Sequence, residues 1–123
     1  MDFRIELIPI NVSDVDRARE FYGEKVGWNI DHDQTPVEGL RFVQVTPPGS
    51  AASFCFGTNL QMLPEGQTQH IQIVVDDADA AHDYLVERGV EATAVEDLAW
   101  GRFTHFSDPD GNQWSLQQLP QRS

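Results

Sequence analysis

The sequence predicts an α+β fold built from a βαβββ unit used twice. Three observations carry this reading. First, Ile8-Pro9-Ile10-Asn11-Val12-Ser13-Asp14-Val15-Asp16 lies over Ile71-Gln72-Ile73-Val74-Val75-Asp76-Asp77-Ala78-Asp79 at an offset of 63 residues. Second, each copy reads strand, Asp-rich cap, helix, glycine, strands, and a repeated unit explains that order better than unrelated elements do. Third, 40% of the 123 residues are apolar and 10% aromatic, which suffices for the core of one domain.

The elements follow in chain order. Phe3, Ile5, Leu7, Ile8 and Ile10 form a β-rich stretch ending near Val12. Ser13 or Asp14 offers an N-cap, and Val15, Ala18, Phe21, Tyr22 and Val26 follow at helical spacing up to Gly27. Trp28 to Asp31 reads as a short strand before a polar loop with Pro36 and Gly39. Leu40 to Thr46 and Ala52 to Phe56 form a hairpin around Pro47-Pro48-Gly49-Ser50. In the second copy His70 to Val75 is a strand, and Asp76 or Asp77 caps a helix that ends at Gly89. Val90 to Val95, Phe103 to Ser107 and Trp114 to Leu119 complete it as strands, the last two joined by the turn Asp108-Pro109-Asp110-Gly111-Asn112.

The charge balance excludes several partners. Net charge is −12, with 20 acidic against 8 basic residues and Lys25 as the only lysine. Binding to nucleic acid or to an anionic membrane needs a basic footprint, which this chain lacks. No run approaches the roughly 20 apolar residues that span a bilayer. Cys55 is the sole cysteine, so no internal disulfide forms. Met1 to Glu6 lacks the basic and apolar stretches of a signal peptide, and the expected location is the cytoplasm.

Several segments together resemble the glyoxalase/bleomycin-resistance/dioxygenase (vicinal oxygen chelate) superfamily. They are Leu7 to Asp14, Arg19-Glu20-Phe21-Tyr22, Val26-Gly27-Trp28, Val74-Val75-Asp76-Asp77, Arg88-Gly89-Val90 and Phe106 to Asn112. The Asp-Pro-Asp-Gly-Asn ending, in register with the repeat, is the most specific of them. The resemblance implies one domain over 1–123, with module one at about 1–58, a linker at about 59–68 and module two at about 69–120. It also implies a curled mixed sheet around a cavity with helices outside, and a homodimer. Members include metal-dependent isomerases, lyases and dioxygenases, and others that bind drugs without metal, so the fold leaves the function open.

Metal-dependent members take their ligands at four positions, which fall here on Leu7, Cys55, His70 and Ser115. Only His70 keeps the expected residue type. Leucine cannot ligate, serine is a poor ligand, and cysteine replaces a carboxylate. The resemblance therefore implies a cavity with no metal expected and no other cofactor, a divalent ion remaining an open alternative. Strand alternation groups Leu7 with Pro9, Cys55 with Ser53, His70 with Gln72, and Ser115 with Gln117. Trp100 and Phe103, near the expected cavity mouth, offer aromatic surface. A wall of imidazole, amide, hydroxyl and thiol among apolar groups suits a small, neutral or mildly polar organic molecule.

Two further readings stand beside small-molecule binding. One is a metal-free enzyme with His70 as acid/base. The other is a metal-dependent lyase, isomerase or dioxygenase with substituted ligands. Of the remaining histidines, His82 belongs to the polar side of the second helix and His32 to the surface. His105 faces one way or the other on a one-residue shift in register. Cys55, between Phe54 and Phe56, reads first as a small core residue.

Overall fold

The computed structural model describes residues 1–60 and 62–121. The elements are β1 (Leu7–Pro9), α1 (Val15–Glu20, continued by a wider π-helical turn, Phe21–Lys25), β2 (Asn29–Val37), β3 (Leu40–Thr46) and β4 (Ser53–Thr58). Then come β5 (His70–Val74), α2 (Ala78–Glu87), β6 (Glu96–Leu98), β7 (Gly101–Ser107) and β8 (Gln113–Gln118). Two compact units divide the chain, Met1–Thr68 and Gln69–Ser123. Each holds one βαβββ module with its own four-stranded mixed sheet, ordered β1-β4-β3-β2 in the first and β5-β8-β7-β6 in the second. In each, the first strand runs parallel to the last and the remaining pairs are antiparallel.

The repeat is visible in the caps. Asp14 accepts a hydrogen bond from the Arg17 backbone N–H at 3.0 Å, and Asp77 accepts one from the Ala80 N–H at 3.1 Å. Each bond satisfies a donor that the helix cannot pair internally. Gly27 and Gly89 follow the two helices with φ of 82° and 81°, the left-handed turn that residues with a Cβ avoid.

One face of each sheet is covered by its helix. In the first unit Ile10, Val43, Val45, Phe54 and Phe56 are buried together with Ala18, Tyr22 and Val26. Tyr22 meets Phe54 edge-on at 4.8 Å between ring centroids and stacks on Trp28 at 6.0 Å. In the second unit Phe106 and Trp114 stack at 6.2 Å, with Leu116, Ala78 and Leu85 also buried.

A charged clamp recurs in both units. Arg41 on β3 donates to Asp16 in the first turn of α1 and to Asp33 on β2. Arg102 on β7 donates to Asp79 in the first turn of α2 and to Asp97 on β6. Each arginine thus ties a helix start to the outermost strand of its sheet.

Three strand assignments differ from the sequence reading. The first strand is only Leu7–Pro9, because Phe3 and Ile5 lack a partner strand and are 89% and 71% exposed. Asn29–Val37 is one continuous strand, where a short strand from Trp28 to Asp31 and then a polar loop with Pro36 were expected. It lies at the sheet edge, where a proline needs no partner for its missing N–H and polar residues can face water on both sides. Conversely, 90–95 is not a regular strand, and the outer strand of the second sheet is the short β6. Thr93 N–H still donates to the His105 carbonyl at 2.9 Å, but the return bond runs from the His105 N–H to Thr93 Oγ1, and the Thr93 carbonyl accepts from the Thr104 hydroxyl, so the backbone ladder is incomplete. The 59–68 segment, in which Gln61 lies outside the described residues, belongs to the first unit. Asn11 Nδ2 donates to the Pro64 and Gln67 carbonyls, and Asn59 Nδ2 to that of Gly39.

Candidate functional site

Register decides which side chains share the uncovered face of the second sheet. Gln72 pairs with Ser115, and Ser115 pairs with His105. Phe103 pairs with Gln117, which pairs with Val74. Alternation sends Ile71, Ile73, Trp114, Leu116, Thr104 and Phe106 towards α2 and leaves His70, Gln72, Ser115, Gln117, Phe103 and His105 on the opposite face. The face of His105 is thereby settled: it is that of His70.

Two hydrogen-bonded chains cross this face. Ser115 Oγ lies 2.6 Å from His70 Nε2 and 2.8 Å from His105 Nδ1. Gln72 Nε2 donates to Gln117 Oε1 at 2.6 Å, and Gln117 Nε2 donates to the Trp100 carbonyl at 2.8 Å. The Trp100 carbonyl can only accept, so it fixes the Gln117 amide and through it that of Gln72. The His105 ring stacks on Phe103 at 5.9 Å with planes 8° apart. Ser115 is 2% exposed and Gln117 9%, while His70 and Gln72 are exposed and His105 half-buried. Trp100 is 61% exposed at the end of the second chain. None of β5, β7 and β8 carries a carboxylate.

The face of the first sheet turned away from α1 holds Leu7, Pro9, Ser53 and Cys55 from the predicted set, with Gln44 and Thr46 beside them. The Thr46 hydroxyl donates to Asp31, and its oxygen lies 2.6 Å from Ser53 Oγ. Burial pushes the Cys55 thiol up to about 11, and Met62 Sδ lies 3.9 Å from its sulfur. A thiol held protonated is a weak nucleophile.

The profile of the Glyoxalase/Bleomycin resistance protein/Dioxygenase superfamily matches residues 4–116. The chain belongs to this superfamily. Solved members share its fold closely. The crystal structure of TnmS3, an antibiotic binding protein from Streptomyces sp. CB03234, is 35% identical, with a TM-score of 0.83 over 97% of this chain and 98% of that one. A glyoxalase/bleomycin resistance protein from the same organism is 37% identical, with a TM-score of 0.78 over 94% of this chain and all of that one. Among curated proteins, Uncharacterized protein YetH of Bacillus subtilis (strain 168) is 26% identical over 94% of this chain and 98% of its own length.

Of the four positions that the resemblance makes metal ligands, only His70 keeps the expected residue type. Leu7 has no donor atom, and the Ser115 hydroxyl lies between two imidazoles. Among the described residues, no three His, Cys, Asp or Glu side chains gather as a metal site.

His105 is the site residue that sequence reading left open, and a signal for it exists. Arg41-Phe42-Val43-Gln44-Val45-Thr46 lies over Arg102-Phe103-Thr104-His105-Phe106-Ser107 at an offset of 61 residues. The equivalence of Gln44 and His105 puts the histidine opposite Ser115, just as Gln44 stands opposite Cys55. Arg102 is held by Asp79 and Asp97 on the helix side. His82 lies on the surface of α2 beside Asp83.

Proposed function

We propose that this chain binds a small, uncharged, aromatic organic molecule of antibiotic type on the uncovered face of β5, β8 and β7, without a divalent ion or other cofactor. The observation that carries the reading is the pair of hydrogen-bonded chains, His70–Ser115–His105 and Gln72–Gln117–Trp100, flanking the Phe103 ring. Imidazole and amide groups there can donate and accept without adding a fixed charge, and the exposed Trp100 ring supplies flat apolar area. The likeness to TnmS3 supports the ligand class. In this reading residues 1–123 are one domain and the protein acts as a cytoplasmic homodimer.

Tryptophan fluorescence tests the reading directly. Trp28 and Trp114 are 9% and 1% exposed, so a ligand on this face quenches chiefly Trp100. Bleomycin and a panel of neutral aromatic antibiotics are titrated into wild-type protein and Trp100→Phe, with equilibrium dialysis as the independent measure. Saturable quenching that disappears in Trp100→Phe while dialysis still reports binding is the expected result. No retained compound by dialysis at high micromolar concentration refutes the proposal. Light scattering of the same sample reads the oligomeric state.

A further inference from the structure

We propose that His70, Ser115 and His105 form a proton relay that makes this face a metal-free tautomerase for enolisable carbonyl compounds. The activity goes beyond binding and uses the same face.

Burial assigns the roles. Ser115 is 2% exposed and hydrogen-bonded to both rings, so its oxygen is shielded from a substrate and serves as a positioning group. Its imidazole neighbours are reachable, His70 exposed and His105 half-buried. Each ring spends one nitrogen on Ser115, Nε2 of His70 and Nδ1 of His105. The other nitrogens, His70 Nδ1 and His105 Nε2, have no hydrogen bond among the described residues and are the catalytic atoms. A hydroxyl both donates and accepts, so it passes one proton along while receiving another.

The step balances without a co-reactant. In the starting tautomers His70 carries its proton on Nε2 and His105 on Nε2. His70 Nδ1 takes a proton from the carbon next to a carbonyl. The C–H electron pair becomes the C=C bond, the carbonyl π pair moves to oxygen, and that oxygen takes the proton from His105 Nε2. In the same event the His70 Nε2 proton passes to Ser115 Oγ and the Ser115 proton to His105 Nδ1. Both rings remain neutral, each having exchanged tautomer. The reverse direction, enol to ketone, then runs with His105 as base and His70 as acid. The relay matters because β5, β7 and β8 offer no carboxylate to stabilise an imidazolium. Moving a proton across the sheet avoids forming a charge pair between the rings, since the carboxylate that register puts on this face, Glu96 opposite Phe103, lies on the edge strand β6 and not on the strands of the relay.

Two measurements test the proposal. The first is the nitrogen-15 NMR signature of the two rings at neutral pH. The relay expects tautomers in which one inward nitrogen is protonated and the other bare, a pattern lost in Ser115→Ala. Both inward nitrogens protonated, or both bare, overturns it. The second uses benzoylacetone, a neutral aromatic diketone whose enol absorbs in the near ultraviolet, followed as fresh enol relaxes to ketone. Wild-type protein should speed the relaxation. His70→Gln and His105→Gln, which keep a hydrogen-bonding side chain but cannot exchange a proton, should each lower the rate by roughly a hundredfold. Ser115→Ala should lose most of the acceleration with both imidazoles still present. Diketone that is bound but not turned over overturns the tautomerase and leaves the binding proposal intact. No binding of the diketone overturns the substrate class.

Discussion

Replacing Asn112 by alanine should destabilise the second unit far more than a turn substitution ordinarily does. Asn112 is completely buried, and its side chain works in two directions. Nδ2 donates to Asp108 Oδ2 at 2.9 Å, and Oδ1 accepts from the Gln69 N–H at 2.9 Å, just ahead of β5. Asp108 is itself 5% exposed and receives the N–H groups of Asp110 and Asn112 on its other oxygen. The alanine side chain removes a hydrogen bond to a buried carboxylate, about 1.5–3 kcal/mol, and leaves a part-buried N–H unpaired, about 1 kcal/mol or more. Because the carboxylate keeps other donors, the combined loss should be about 2–3 kcal/mol. For a chain of 123 residues that is a fall in Tm of roughly 8–12 °C. Urea unfolding followed by circular dichroism, with the slope unchanged, measures it. Asn112→Asp should lose still more at pH 7, since it places a second carboxylate against Asp108, and the excess should shrink as pH falls. A loss below about 1 kcal/mol for Asn112→Ala would show that this motif is a surface turn and not a staple between β8 and the start of β5.

Other perturbations read different parts of the molecule. Cys55 is fully buried with its thiol pushed up to about 11, so iodoacetamide at pH 8 should leave native protein unlabelled and modify it fully in urea, and mass spectrometry of the alkylated protein checks this. Hydrogen bonds from Arg41 hold Asp33, and those from Arg102 hold Asp79, below the usual 3.8. A lowered folded pKa means that the unfolded chain binds more protons, so the stabilisation is present at neutral pH and is lost as pH falls below about 5 towards the folded values. Arg41→Met and Arg102→Met should therefore flatten the acid limb of urea midpoint against pH between 3 and 7, and a limb as steep as wild type refutes the clamp. Gly57→Ala should misfold the first unit, because a Cβ there would lie 1.9 Å from the Arg41 carbonyl oxygen; soluble protein with native circular dichroism would contradict that contact.

The sequence by itself determined what depends on local chemistry and on repetition. The copy of Ile8 to Asp16 at Ile71 to Asp79 fixed the order of elements, since like segments form like units. Asp14 and Asp77 caps, glycines after both helices and the Asp108 to Asn112 turn were legible because each acts within a few residues of itself. The same alternation put Trp114 and Leu116 towards the helix, and His70, Gln72, Ser115 and Gln117 on a common side.

Tertiary structure decided what depends on a partner far along the chain. The strand expected at Trp28 to Asp31 runs on to Val37 because β3 lies beside it, and the polar residues 32–36 gave no sign of that. The 90–95 segment failed to become one because Thr93 satisfied His105 and Thr104 with its own groups. Above all, the sharing of Ser115 by His70 and His105 rests on the register of three strands. Alternation along one strand leaves that register undefined, and a shift of one residue in β7 would turn His105 to the other face.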